Sequence, residues 1–420
     1  MITFPKAPGI YIDELEALSF SIGNAPTAVP VFVVGNSDSE PWWGSLGVPA
    51  KINSFNDFLQ YENEENAFSQ TVSLSAFWQK RWGRPGPAHH PLLRNAKGKE
   101  HRGYTPGDPW NSKFAPSLKA YFDNGGGYCY VCPNNQLDSI KDLPDVTLIV
   151  QCGQKDHTAD IMALCQPGSG LFALLDGPQD EGTFDKIEFK KQYDQLVPSD
   201  CAAIYYPWLK ANWTLPDNAG NPTTNIHLVA PSAVAAGLIC KTDQQHGTWK
   251  SPANVPISAG LTPAVKVGDA TQALYTDTAK TKISVNMFRT FPGRGSLVWG
   301  ARTMTTDGNN WAYINVRRTF DMVERNIAAA LEVVLFEPNG QATWEAVRAA
   351  IENYLFNLWN QGALYGESPA KGYFIHIGEN ITMSQADIAD GILRVRIGLA
   401  VVRPAEFVIL EFTQQVASGG

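Results

Sequence analysis

A chain of 420 residues is long enough for two or three domains at roughly 150 residues each, which excludes a small disulfide-stapled scaffold. Apolar residues at 44% and charged residues at 18% supply a sizeable core and too little charge for a disordered chain. A net charge of −8 offers no general attraction to a polyanion, so nucleic acid is not an expected partner.

The 36 glycines and 28 prolines predict many turns. No stretch reaches the roughly 18 uninterrupted apolar residues of a membrane span. Met1 to Gly9 lacks a basic segment followed by an apolar one, so synthesis in the cytoplasm without direct membrane insertion is expected. The cysteines at 129, 132, 152, 165, 201 and 240 are too few and too scattered for a disulfide framework and read as reduced thiols.

In chain order, Pro8-Gly9-Ile10-Tyr11-Ile12-Asp13-Glu14 is a β-prone run ahead of any core element and reads as an extended arm. The continuous apolar run Ala28 to Gly35 predicts a strand buried on both faces. Ser54-Phe55-Asn56-Asp57 has the spacing of a capping box and predicts a short helix. Gly83 to Trp110, rich in Gly, Pro, His and basic residues, reads as an inserted loop, expected on the outer surface. A helix over Pro116 to Phe122, a glycine stop at 125–127 and a strand from Tyr128 follow. Strands at Val146–Val150, Leu171–Leu175 and Ala202–Tyr206 continue an α/β alternation to about residue 245, which predicts a mostly parallel sheet between helices.

The last third differs. Phe320, Val323, Ile327, Leu331 and Val334 recur at steps of three and four and predict a long helix. Trp344, Val347, Ile351, Leu355, Leu358 and Trp359 predict a second, packed on the first as a hairpin. Leu393 to Val401 alternates as a strand, and Phe407 to Phe412 forms another beyond Arg403-Pro404.

Motifs for chemistry are sparse. Cys129 and Cys132 have CxxC spacing, but on a strand they point to opposite faces, so buried structural thiols are the expectation rather than a metal site. The glycines at 125–127 match no phosphate-binding pattern. The seven histidines contain no helical metal pair, and His89-His90 in the loop is their one cluster. No GxSxG elbow singles out a nucleophile. Neither catalytic nor cofactor-binding nor metal-binding residues are assigned.

One ordered series of motifs remains. Ala230-Pro231-Ser232-Ala233-Val234-Ala235-Ala236-Gly237, Lys241-Thr242-Asp243 and Gly247-Thr248-Trp249-Lys250-Ser251-Pro252-Ala253-Asn254 come first. Gly300-Ala301-Arg302-Thr303, Tyr313-Ile314-Asn315-Val316-Arg317-Arg318, Phe336-Glu337-Pro338-Asn339, Gly362-Ala363-Leu364 and Arg403-Pro404-Ala405-Glu406-Phe407 follow. This series resembles that of contractile tail sheath proteins over nearly the whole chain. The loop at 61–112 is outside the pattern, and there is no room for large outer decoration domains. That compactness is similar to antifeeding-prophage-like extracellular contractile injection systems, R-type tailocins and simple contractile phages, and favours the first.

The resemblance implies an α/β sheath core with a C-terminal α+β domain and extended N- and C-terminal β arms. Its divisions are an arm at 1–25, an α/β domain at 26–298 carrying the loop at about 83–112, a C-terminal domain at 299–406, and an arm strand and tail at 407–420. It implies a structural subunit without cofactor that polymerises as helically stacked hexameric rings around an inner tube, then contracts to drive the tube through a target envelope. Implied partners are further copies and sheath paralogues, the inner tube protein, and baseplate and terminal cap proteins in a phage-tail-like particle. Gly9, Ile10, Tyr11, Ile12 and Asp13, with Phe407, Val408, Ile409, Leu410, Glu411 and Phe412, are the candidate intersubunit strands. Arg317, Arg318 and Arg325 are candidates to face the tube, against the plainer reading in which Asp321 pairs with Arg317 and Arg325 along the helix. The alternative from another class is a soluble α/β enzyme with a lid or metal site at about 83–110.

Overall fold

The computed structural model describes residues 20–35, 49–59, 114–179, 190–191, 193–216, 222–276, 283–306 and 310–406. The chain divides into two compact units, residues 26–322 with 403–420, and residues 1–25 with 323–402. In the larger unit the described elements begin with β1 (Pro30–Val34), β2 (Ala50–Ile52), α1 (Phe114–Asp123), β3 (Cys129–Pro133), β4 (Leu148–Val150), α2 (Thr158–Leu164), β5 (Phe172–Asp176) and β6 (Ala202–Tyr206). They continue through β7 (Leu209–Pro216), β8 (Pro222–Val229), α3 (Pro231–His246), β9 (Val255–Pro256), β10 (Leu261–Pro263), α4 (Asp269–Thr276), β11 (Val285–Phe291) and β12 (Gly295–Trp299). The helix α5 (Ile314–Leu331) carries the unit boundary within its length.

Nine strands form one sheet in the order β2-β3-β1-β4-β5-β6-β11-β12-β9. The pairs from β3 to β11 are parallel, and β2, β12 and β9 add antiparallel edges. Strand alternation sorts the apolar side chains into two cores. Phe32, Val34, Phe172, Leu174, Ala203 and Tyr205 pack with residues of α1 and α3 on one face. Val31, Val33, Ala173, Leu175, Ala202 and Ile204 pack with Ile161 and Leu164 of α2 on the other. This is the expected sheet between helices. Cys129 lies in the first core and Cys132 in the second, the opposite-face placement that a strand imposes on CxxC spacing. A second sheet, β10-β7-β8, was not anticipated in the alternation. At residue 54 the expected cap forms, with Ser54 Oγ accepting from Asp57 N–H at 3.1 Å.

The observed boundary differs from the one expected at residue 299. Residues 299–322 belong to the larger unit because the sheet holds them. Met304 N–H donates to the Ala202 carbonyl at 2.8 Å, and the side chain of Asn286 on β11 bonds both N–H and C=O of Arg302 at 2.8 Å.

In the smaller unit α6 (Gln341–Asn360) buries Trp344, Val347, Ile351, Leu355 and Leu358, the stripe read from its spacing. Asn326 of α5 donates to Tyr354 of α6 at 2.8 Å, which joins the two helices. α5 ends at Leu331 and a tight turn over Glu332–Val334 follows, so the helix stops short of Val334, the last residue of the predicted stripe. Beyond a four-residue helix, α7 (Pro369–Gly372), β13 (Tyr373–His376) pairs antiparallel with β14 (Arg396–Leu399), the core of the expected strand. The short α8 (Gln385–Ala389) between them has a capping box built by Ser384 and Asp387.

Candidate assembly site

Open α/β sheets hold ligands beyond the carboxyl ends of their strands. Past β4 the backbone turns through Cys152 and Gly153, at φ 48° and 83°, and aims two N–H groups inward. Cys152 N–H donates to Ser232 Oγ at 3.1 Å and Gly153 N–H to Asp176 Oδ2 at 2.7 Å. The other carboxylate oxygen of Asp176 accepts from Ser232 N–H in the first turn of α3 at 2.7 Å. The chain's own carboxylate therefore occupies the helix N-terminus at which such folds take an anion. Gln151 Oε1 accepts from Asp176 N–H at 2.7 Å. Burial pushes the Asp176 carboxyl up to about 6, against the lowering effect of the backbone bonds from Ser232 and Gly153.

The start of α5 corrects one expectation. Arg317 and Arg318 are 3% and 4% exposed, so neither presents its charge on an open face. Arg317 Nε donates to Asp321 Oδ1 at 3.0 Å, its Nη1 lies 3.5 Å from Asp200 Oδ2, and the Trp311 ring centroid is 4.6 Å from the guanidinium. Arg318 binds both oxygens of Asp243, at 3.1 and 2.7 Å, and the Thr27 carbonyl at 2.9 Å. A buried guanidinium must be paired in this way, because removing it from water without a counter-charge is prohibitive. Arg325 lies further along α5 and is half-buried.

Both roots of the terminal segments are pinned in the larger unit. At the N-terminal side Thr147 Oγ1 donates to the Thr27 carbonyl at 2.9 Å and accepts from Val29 N–H at 3.0 Å, beside the Arg318 contact. At the C-terminal side Glu406 takes Arg302 Nε at 2.9 Å from each oxygen and Arg302 Nη2 at 2.5 Å. Tyr313 Oη donates to the same carboxylate at 3.1 Å. The candidate strands Gly9 to Asp13 and Phe407 to Phe412, and the loop at about 83–112, lie outside the described residues.

From end to end the chain is similar to a protein of the PVC sheath complex, an extracellular contractile injection system solved in its contracted state. Identity is 39% over 99% of each chain, with a TM-score of 0.74. The chain belongs to the contractile tail sheath family. It is also similar to a chain in the six-fold symmetrised baseplate of the anti-feeding prophage, at 31% identity over 98% of this chain and 100% of that one, TM-score 0.66. Residues 306–415 match the family described as phage tail sheath C-terminal domain. The tail sheath protein of Vibrio phage KVP40 is 33% identical over 134 residues, 31% of this chain, and the match spans only 19% of that longer protein.

Three of the sheath motifs meet in the structure. Arg302, Tyr313 and Glu406 come from three separate motifs and share one ion-paired cluster. Their strings are visible in the sequence, but a pairing across 104 residues carries no local signal. Asp176 lies in none of the motifs, and although Asp243 closes the Lys241-Thr242-Asp243 string, nothing in that string marks it as the partner of Arg318. Among the described residues no group of three or more His, Cys, Asp or Glu is placed to hold a metal ion, and no helix is long and apolar enough to cross a membrane.

Proposed function

We propose that this chain is the sheath subunit of a contractile particle, polymerising as helically stacked hexameric rings around an inner tube and contracting to drive that tube through a target envelope. The observation that carries this reading is the end-to-end similarity to the contracted PVC sheath protein. The six-fold baseplate chain supports rings of six. The free energy of contraction would lie in the difference between two lattice packings of the same subunit. In this proposal the β-prone segments Gly9–Asp13 and Phe407–Phe412 complete a neighbour's sheet. Each main-chain bond contributes about 0.5–1.5 kcal/mol, repeated through the lattice. Arg325 stays a candidate to face the tube; Arg317 and Arg318 do not. The partners are further copies and sheath paralogues, the tube, the baseplate and a terminal cap, in a virion or a released extracellular particle, with no nucleic acid, cofactor or catalytic role.

Purified full-length protein should sediment as polymers and give tubes by negative-stain microscopy, longer and more regular when purified inner tube is supplied. A monodisperse small oligomer under every condition would overturn the proposal and return the enzyme alternative.

A further inference from the structure

We propose that Arg302 and Tyr313 form a clip on Glu406 that fixes the chain to the larger unit immediately ahead of residue 407; its role in the lattice rests on the sheath reading. The receiving side of the clip is rigid. Arg302 has both backbone groups bonded to the side chain of Asn286, which is 1% exposed on the interior strand β11. A backbone bridge joins Arg302 to Tyr313, and the guanidinium lies 5.4 Å from the Tyr313 ring centroid. The received side is Glu406. The chain runs through the smaller unit up to Val402, returns to the larger at Arg403, and is caught at Glu406 within four residues.

The chemistry suits a fixed geometry. A guanidinium and a carboxylate joined through three N–H···O contacts define direction as well as distance, which a point charge does not. The two side chains are 16% and 23% exposed, so the pair is more shielded from water and salt than an open surface bridge. The Tyr313 hydroxyl adds a third donor group to the same carboxylate. The partners of Glu406 lie 104 and 93 residues back in the chain, so the fold and not the local sequence brings them together. Arg302 and Tyr313 are thus positioning residues for the C-terminal segment.

The test uses full-length protein kept unassembled at low concentration, with Arg302→Gln, Glu406→Gln, both together, and Tyr313→Phe. Amide hydrogen exchange in residues 403–410 should quicken by roughly tenfold in either single variant. The double variant should be no faster, because one interaction is lost in each case. Tyr313→Phe, which keeps the ring, should give a smaller change. The thermal midpoint and exchange in β11 should stay as in the parent protein, and tubes from the single variants should be several-fold shorter. Unchanged exchange at 403–410, or quickened exchange that spreads into β11 with a lowered midpoint, overturns the clip. Because exchange is read before assembly, failure of the parent protein to form tubes would count against the sheath reading and not against the clip.

Discussion

Arg318 shows how a single side chain can be misassigned by its charge. It sits on a helix that also presents Arg317 and Arg325, yet it and Asp243 have side chains only 4% and 3% exposed. Arg318→Met should cost about 3–5 kcal/mol in urea unfolding, since Asp243 would stay buried without its cation. Adding Asp243→Leu should recover most of that loss. A stable Arg318→Met that fails to assemble on tubes would instead restore the tube-facing role. Asp176 makes a pH-dependent prediction. Its carboxyl ionises near 3.8 when unfolded and at about 6 when folded, so between those values the folded state keeps a proton that the unfolded state has released. Stability from this group is therefore fully present below about pH 4 and falls as pH rises through about 6, by up to about 3 kcal/mol. Asp176→Asn should flatten that part of the profile, measured by urea unfolding from pH 4 to 7.

The helices α1 and α3 meet where α3 has no side chain. A Cβ on Gly237 would stand 2.5 Å from the Tyr121 carbonyl oxygen and 3.0 Å from Asn124 Cβ, so the two backbones are in direct approach. Gly237→Ala should lower stability by about 1–3 kcal/mol despite the better helix propensity of alanine, because backbone has to move. A raised thermal midpoint would show that the approach is looser than this geometry. Elements with one buried face or two were readable from periodicity: β1, β6 and α6 lie where their apolar spacing put them. The hairpin β7–β8 was not, because its polar positions and prolines at 216 and 222 blur the alternation. The hairpin β11–β12 turns through Gly293 and Gly295, both at φ 73°, within a Pro-Gly-Arg-Gly string. The candidate site was partly visible, as motif strings without partners. Arg318 pairs with Asp243 75 residues away, and only the folded sheet brings the two together.

For the whole molecule, the assembly reading separates folding from linkage. Deleting residues 1–14 or residues 407–420 should leave a cooperatively folding protein that makes no long tubes, checked by thermal unfolding and negative-stain microscopy. Normal tubes from both truncations would remove the terminal strands from the lattice. The cysteines bear on how such a lattice would survive outside a reducing cell. All six are buried, and burial pushes Cys132 and Cys240 up to about 11, so at neutral pH these two are present as thiols and not as the reactive thiolate. In the proposed lattice, each subunit thus presents no surface sulfhydryl through which oxidation could weld it to the next. Titration with an aromatic disulfide reagent should find no reactive thiol in native protein and six per chain in denaturant. Thiols that become reactive during contraction would mean that the two cores open in the stroke, whereas continued silence would mean that each travels through it sealed.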